Sequence, residues 1–160
     1  MNVKNLLTVG LLVFVAAAMV TIVVREGGGK DSPDTPTVAT AAAQLPADGL
    51  VAYYFHGEIR CPTCKKIEAY AHESLQAGFP KEWNSGAIAW RVLNYEASAN
   101  DHYVTEYEIA APTVVLVRTS HGQPEDWRNL TRVWELAGDK GAFMKYIQEQ
   151  ARALLTKKES

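Results

Sequence analysis

Leu50-Val-Ala-Tyr-Tyr-Phe-His-Gly-Glu-Ile-Arg-Cys-Pro-Thr-Cys-Lys-Lys-Ile-Glu68 changes periodicity halfway along. Its first six residues, Leu50 to Phe55, form an unbroken apolar run of strand length. From Cys61 the spacing becomes helical. Cys64, Ile67, Ala71 and Leu75 fall on one apolar stripe, while Lys65, Glu68 and His72 line the polar side. This helix is predicted to last to about Ala77 and to be stopped by Gly78 and Pro80. Two cysteines therefore stand where a strand hands over to a helix.

That position has chemical consequences. Cys61 at the helix tip faces unpaired amide groups and the positive end of the macrodipole, which stabilise a thiolate. Cys64, one turn on and on the apolar stripe, is close enough to close a disulfide and is shielded enough to act as the resolving thiol. Arg60, with Lys65 and Lys66 nearby, is expected to lower the pKa of Cys61 further. Pro62 suits the first helical turn, where its missing N–H costs nothing. The spacing Cys61-Pro62-Thr63-Cys64 near a βαβ pattern reads as a dithiol redox motif. An inert buried pair or static disulfide is the plainer alternative. A metal site would need two further ligands, for which only His56, His72 or a second chain is at hand.

Working outward, Ala87 to Leu93 is predicted to be a second strand, and Ser98-Ala-Asn-Asp101 to begin a short helix running to about Glu108. Thr113 to Arg118 is a third strand. His121-Gly-Gln-Pro124 marks a turn, and Leu130 to Leu136 is expected to be a fourth strand. Asp139 then caps a last helix with Phe143, Tyr146, Ile147, Ala151 and Leu154 on one face. The order β-α-β-α-β-β-α implies an α/β sandwich. Ala110-Ala111-Pro112-Thr113 places a proline directly before the third strand, where strands tolerate one only at their start.

Here the chain resembles the thioredoxin superfamily over about 110 residues. The resemblance implies that Pro112 is a cis-proline facing the cysteines, with Ala111 offering backbone hydrogen bonds to a substrate chain and Pro62 and Thr63 bordering it. Three departures are visible. Arg60 replaces the Trp that precedes the first cysteine in thioredoxins, Phe55 stands near their buried Asp, with Glu58 or His56 as candidate substitutes, and Pro62-Thr63 replaces their Gly-Pro between the cysteines. More narrowly, Tyr54-Phe-His-Gly57, Arg60 to Glu68 and Trp90-Arg-Val-Leu-Asn-Tyr-Glu96 look like a bacterial family of small anchored thioredoxin-like proteins. That family carries the label "nitrophenyl compound nitroreductase subunit", of the ArsF type. The resemblance implies a DsbD- or CcdA-like membrane electron donor. Nitro reduction needs a flavin or similar cofactor and nothing in the sequence binds one, so no cofactor is expected and a dithiol supplies two electrons by thiol exchange.

The rest of the chain gives the setting. Leu6 to Val24 is a 19-residue run without a charge, long enough for a transmembrane helix. A cleavable signal peptide, with Ala16-Ala-Ala18 as its cleavage site, is the rival reading. Lys4 on one side and Arg25 and Lys30 on the other nearly tie the positive-inside count. A short head before a long domain favours a single-pass anchor with the C-terminal domain exported to the periplasm. The proposed division is an anchor over 1–25, a Gly/Pro/Thr/Ala-rich linker over 26–48 with a coil span of roughly 25–30 Å, and a domain over 49–160. Among 160 residues the net charge is -2, which gives no electrostatic footprint for nucleic acid. Two cysteines are too few for a disulfide scaffold or a four-thiolate metal site. Four single histidines, at 56, 72, 102 and 121, lack metal spacing, and the four tryptophans read as packing residues. Asn94, Tyr95 and Glu96 fall on the carboxyl edge of the sheet and could border the cysteines.

The sequence thus predicts a membrane-tethered thiol–disulfide oxidoreductase that reduces protein or small disulfides. The alternative is a dithiol module that captures a thiophilic metal or metalloid without turnover.

Overall fold

The computed structural model describes residues 45–156. The expected anchor at Leu6–Val24 and nearly all of the expected linker lie outside these residues. Among the described residues no helix is long and apolar enough to cross a membrane.

Strand β1 (Gly49–His56) is central because both its faces are apolar. Leu50, Ala52 and Tyr54 point into one core, and Val51, Tyr53 and Phe55 into another. It pairs in parallel with β2 (Ile88–Asn94), Ala52 opposite Trp90, and antiparallel with β3 (Thr113–Ser120), Phe55 opposite Thr113. Strand β4 (Gln123–Asn129) completes a four-stranded mixed sheet of order β2-β1-β3-β4. Gly49 has no room for a side chain, since a Cβ there would lie 2.0 Å from the Ala87 carbonyl oxygen.

Helix α1 (Pro62–Gly78) lays Cys64, Ile67, Ala71 and Leu75 on the first sheet face, the stripe read from the sequence. Gly78 closes it, but Pro80 does not leave a loop. It opens a second short helix, α2 (Pro80–Asn84), because a proline in a first turn gives up no hydrogen bond. Helix α5 (Lys140–Leu155) begins where expected, with the Asp139 carboxylate accepting from the Ala142 N–H at 3.0 Å. Phe143, Ile147, Ala151 and Leu154 are buried beside α1, and Tyr146 packs at the edge of that core. The opposite sheet face is covered by Tyr107, Ile109, Leu45, Tyr95 and Tyr103.

Two expectations need correction. The helix anticipated from Ser98 to Glu108 is only α3 (His102–Glu106), and Asp101 makes no side-chain cap bond. Ala97 to Asn100 close a backbone turn of their own instead (Asn100 N–H to Ala97 C=O, 2.8 Å). The fourth strand is not Leu130–Leu136. His121 and Gly122 both take positive φ (51° and 74°), the signature of a two-residue hairpin turn, so β4 starts at once. It is an edge strand of mostly polar residues, with Glu125 paired to Arg118, so no apolar run announces it. Leu130 and Val133 are core residues three positions apart, the second opening the short helix α4 (Val133–Leu136).

Candidate active site at the carboxyl end of the first strand

The end of β1 and the start of α1 put Cys61 at the N-cap of the helix and Pro62 in its first turn. The two cysteines are joined as a disulfide with Cα atoms 5.0 Å apart. Cys64 is buried at 3% exposure, whereas Cys61 is only partly covered. The backbone N–H of Cys64 donates to Cys61 Sγ at 3.0 Å. In the reduced protein that amide and the helix end favour negative charge on Cys61 over Cys64. The two sulfurs thus differ in both access and charge environment.

The layer below was not legible in the sequence. Tyr54 is fully buried, and its hydroxyl donates to the Cys64 carbonyl oxygen at 2.7 Å. Burial pushes its phenol up to about 12, so it remains a donor at neutral pH. Arg60 stacks over the Tyr54 ring, 5.8 Å from the centroid, and its guanidinium forms an ion pair with Glu68. Its charge is thus shared with a carboxylate rather than directed solely at Cys61, as its place in the sequence suggested.

No acid lies on β1. Phe55 is buried among Tyr53, Tyr103 and Tyr107 on the face away from α1. His56 is the last residue of β1, opposite Asn94, and Glu58 lies in the loop that follows. His56 Nδ1 lies 2.8 Å from the Gly57 carbonyl oxygen, which fixes the proton on that nitrogen. The Glu58 N–H donates to Glu96 Oε2 (2.7 Å), and Asn94 Nδ2 donates to Glu58 Oε1 (2.8 Å). A Cβ at Gly57 would stand 2.6 Å from Glu96 Oε1 and would push that flexible carboxylate aside. Asn94, Tyr95 and Glu96 do border the loop that carries the cysteines: the Tyr95 N–H also donates to the His56 carbonyl at 3.0 Å.

Thr113 lies opposite Phe55, so Ala111 and Pro112 are brought to the same end of the sheet as the cysteine pair. Ala111, like Pro62, is exposed, while Pro112 and Thr63 are partly covered. One expectation fails. Among the described residues no peptide bond is cis, so the Ala111–Pro112 bond is trans and Pro112 is not a cis-proline. The trans form is the intrinsically favoured one, and the loop is fastened around it. Trp134 Nε1 donates to the Pro112 carbonyl (2.8 Å), and Asn129 Nδ2 donates to the carbonyls of Tyr107 (2.9 Å) and Glu108 (3.0 Å). Trp134 is 38% exposed and anchors this loop, where the sequence suggested only packing. Among the described residues no cluster of three or more His, Cys, Asp or Glu side chains could hold a metal ion.

No protein-family profile matches the chain, and no curated protein does. Solved structures do resemble it. Human ERp44 in its zinc-bound form is 18% identical, with a TM-score of 0.44, over 74% of this chain and 30% of that one. Mitochondrial thioredoxin 3 from Saccharomyces cerevisiae, oxidised, is 19% identical, with a TM-score of 0.40, over 65% and 81%. A thioredoxin from Thermus thermophilus is 17% identical, with a TM-score of 0.41, over 64% and 73%. The chain thus spans under a third of the ERp44 chain and most of each thioredoxin.

Proposed function

We propose that this protein is a thiol–disulfide oxidoreductase of the thioredoxin-like kind. One observation carries the reading: the partly exposed Cys61 Sγ caps a helix and accepts the N–H of Cys64, whose own sulfur is buried behind it. A strand-to-helix junction in a β2-β1-β3-β4 mixed sheet, with a proline loop at the same end, supports it.

The steps follow from the two environments. The Cys61 thiolate attacks one sulfur of a substrate disulfide, forming a mixed disulfide and releasing the other sulfur as a thiolate that takes a proton from water. Cys64 gives up its proton, attacks Cys61 Sγ and releases the second substrate thiol. Two electrons pass to the substrate and the Cys61–Cys64 disulfide remains. A dithiol on a partner then reduces it by the same exchange. Ala111 and Pro112, with Pro62 and Thr63, form the rim against which the substrate chain lies. Arg60 contributes positive charge beside Cys61.

The wider setting belongs to the same proposal. The uncharged Leu6–Val24 run supports a single-pass membrane anchor, and we extend the proposal to a domain on its periplasmic side. The motifs Tyr54–Gly57, Arg60–Glu68 and Trp90–Glu96 support membership of the ArsF-type anchored family and recharging by a DsbD- or CcdA-like electron carrier.

The full chain in detergent tests the central claim. With dithiothreitol as electron source it should reduce a protein disulfide, Cys61→Ser should abolish turnover, and Cys64→Ser should accumulate a mixed disulfide visible on non-reducing gels. Absence of both turnover and trapping refutes the reading. Stoichiometric retention of a thiophilic metal without either would mark the chain as a binding module.

A further inference from the structure

Between α1 and the edge strand β2 lies an open groove of ≈ 660 Å³, lined by Arg60, Lys65, Glu68, Ala69, His72 and Trp90. Two of its lining residues are chain neighbours of the proposed nucleophile. Arg60 precedes Cys61 directly, and the Lys65 N–H donates to the Cys61 carbonyl at 3.1 Å, one helical turn on. Its far wall is stiff: the His72 ring meets Trp90 edge-on at 5.4 Å and Trp83 edge-on at 5.1 Å.

The charges in the groove are unequal. Arg60 and Lys65 are cations, Glu68 is the lone carboxylate, and Glu68 is committed to Arg60. Lys65 is exposed and, among the described residues, enters none of the ion pairs. One ammonium, on a residue one helical turn from Cys61, is therefore left for a ligand, and Trp90 adds an aromatic ring to the lining. The groove lies on the α1 side of β2, away from the Ala111–Pro112 loop at β3. It adds a second direction along which a substrate can extend from the reacting sulfur.

We propose that this groove is a specificity subsite of the redox pair, and that it selects disulfides bearing a carboxylate close to the reacting sulfur and a planar apolar group beyond it. Lys65, with Arg60, attracts the carboxylate, and Trp90 receives the planar group. The inference rests on the oxidoreductase reading.

Four small disulfides test it on the pre-reduced full chain in single-turnover reactions: anionic dithiodiglycolate, anionic and aromatic 2,2′-dithiodibenzoate, neutral hydroxyethyl disulfide and cationic cystamine. Each rate is divided by that disulfide's rate with the neutral thiol thioglycerol, which removes intrinsic reactivity. At low salt the normalised anion-to-cation ratio should be about tenfold or more, and should shrink towards unity at high salt. Lys65→Glu should lower it by about three- to tenfold, the size expected for reversing one exposed charge. Aromatic 2,2′-dithiodibenzoate should outrun dithiodiglycolate after the same normalisation, and Trp90→Leu should remove about fivefold of that advantage. A ratio near one in the unaltered protein overturns the inference. So does a charge preference accompanied by no loss at Trp90→Leu, since the positive end of α1 would then suffice without the groove. If even the neutral disulfide is not reduced, the oxidoreductase reading itself has failed. If it is reduced without any preference, only the subsite has.

Discussion

Tyr54 shows how one side chain can be a core residue and part of a site at once. Its ring fills the first core and supports the Arg60 guanidinium, and its hydroxyl holds the Cys64 carbonyl. Tyr54→Phe keeps the ring and removes the donor. Losing one buried hydrogen bond should lower unfolding free energy by about 1–2 kcal/mol in urea melts. Amide exchange should quicken in the first turn of α1 more than in α5. An equal change in both helices would mean that the hydroxyl serves the core as a whole and not the cysteine turn. The unequal cover of the two cysteines is legible in the sequence, because helical phase separates positions 61 and 64. Tyr54 was legible only as an apolar strand residue, because a hydroxyl's partner ten positions away depends on how α1 seats on the sheet. Arg60 gave the opposite lesson: its charge could be read, but the Glu68 that shares it lies two turns along the helix.

At the scale of elements, the 107–113 loop shows most plainly what holds the site's outer rim. Glu108 sits at φ 53°, a conformation that a side chain with a Cβ adopts at a cost. Asn129 on β4 keeps it there, donating to two loop carbonyls and accepting from the Thr113 hydroxyl at 2.7 Å. Asn129→Ala strips all three bonds and should cost about 2–3 kcal/mol. It should also slow disulfide reduction while leaving the Cys61–Cys64 pair able to form, measured by thiol titration after oxidation. An unchanged rate with the full loss of stability would show that the rim does not position substrate. None of this is legible in the sequence, because β4 carries no apolar run and Leu130–Leu136 resembles a strand in its place. Periodicity finds strands that bury a face. It found β1, β2 and β3 to within a residue or two, and it passed over Gln123–Asn129, whose polar side chains face water at the sheet edge. Leu130 and Val133 then drew the strand expectation onto a turn and a short helix.

For the molecule as a whole, the tyrosines set the alkaline limit of stability. Burial, aided by Tyr103, pushes Tyr53 up to about 12, and burial pushes Tyr54 up to about 12. Burial raises Tyr107 further, and all three would ionise near 10 in the unfolded chain. A raised folded value means that the stabilising contribution is complete below pH 10 and is lost as the pH climbs towards 12. Each of Tyr53 and Tyr54 should cost on the order of 2–3 kcal/mol over that window. Circular dichroism and tyrosinate absorbance should therefore report one cooperative transition between pH 10 and 12. Gradual ionisation without unfolding would contradict the burial of the two sheet faces. The fold also fixes a polarity. The Gly122 N–H donates to the Ala47 carbonyl at 2.7 Å and the His121 N–H to Asp48 at 3.1 Å, so the hairpin tip clasps the chain where it enters β1. The disulfide lies beyond the other end of that strand, about 23 Å away at the usual rise per residue. A pull on the chain at residue 45 would therefore load the clasp at the pole of β1 opposite the disulfide.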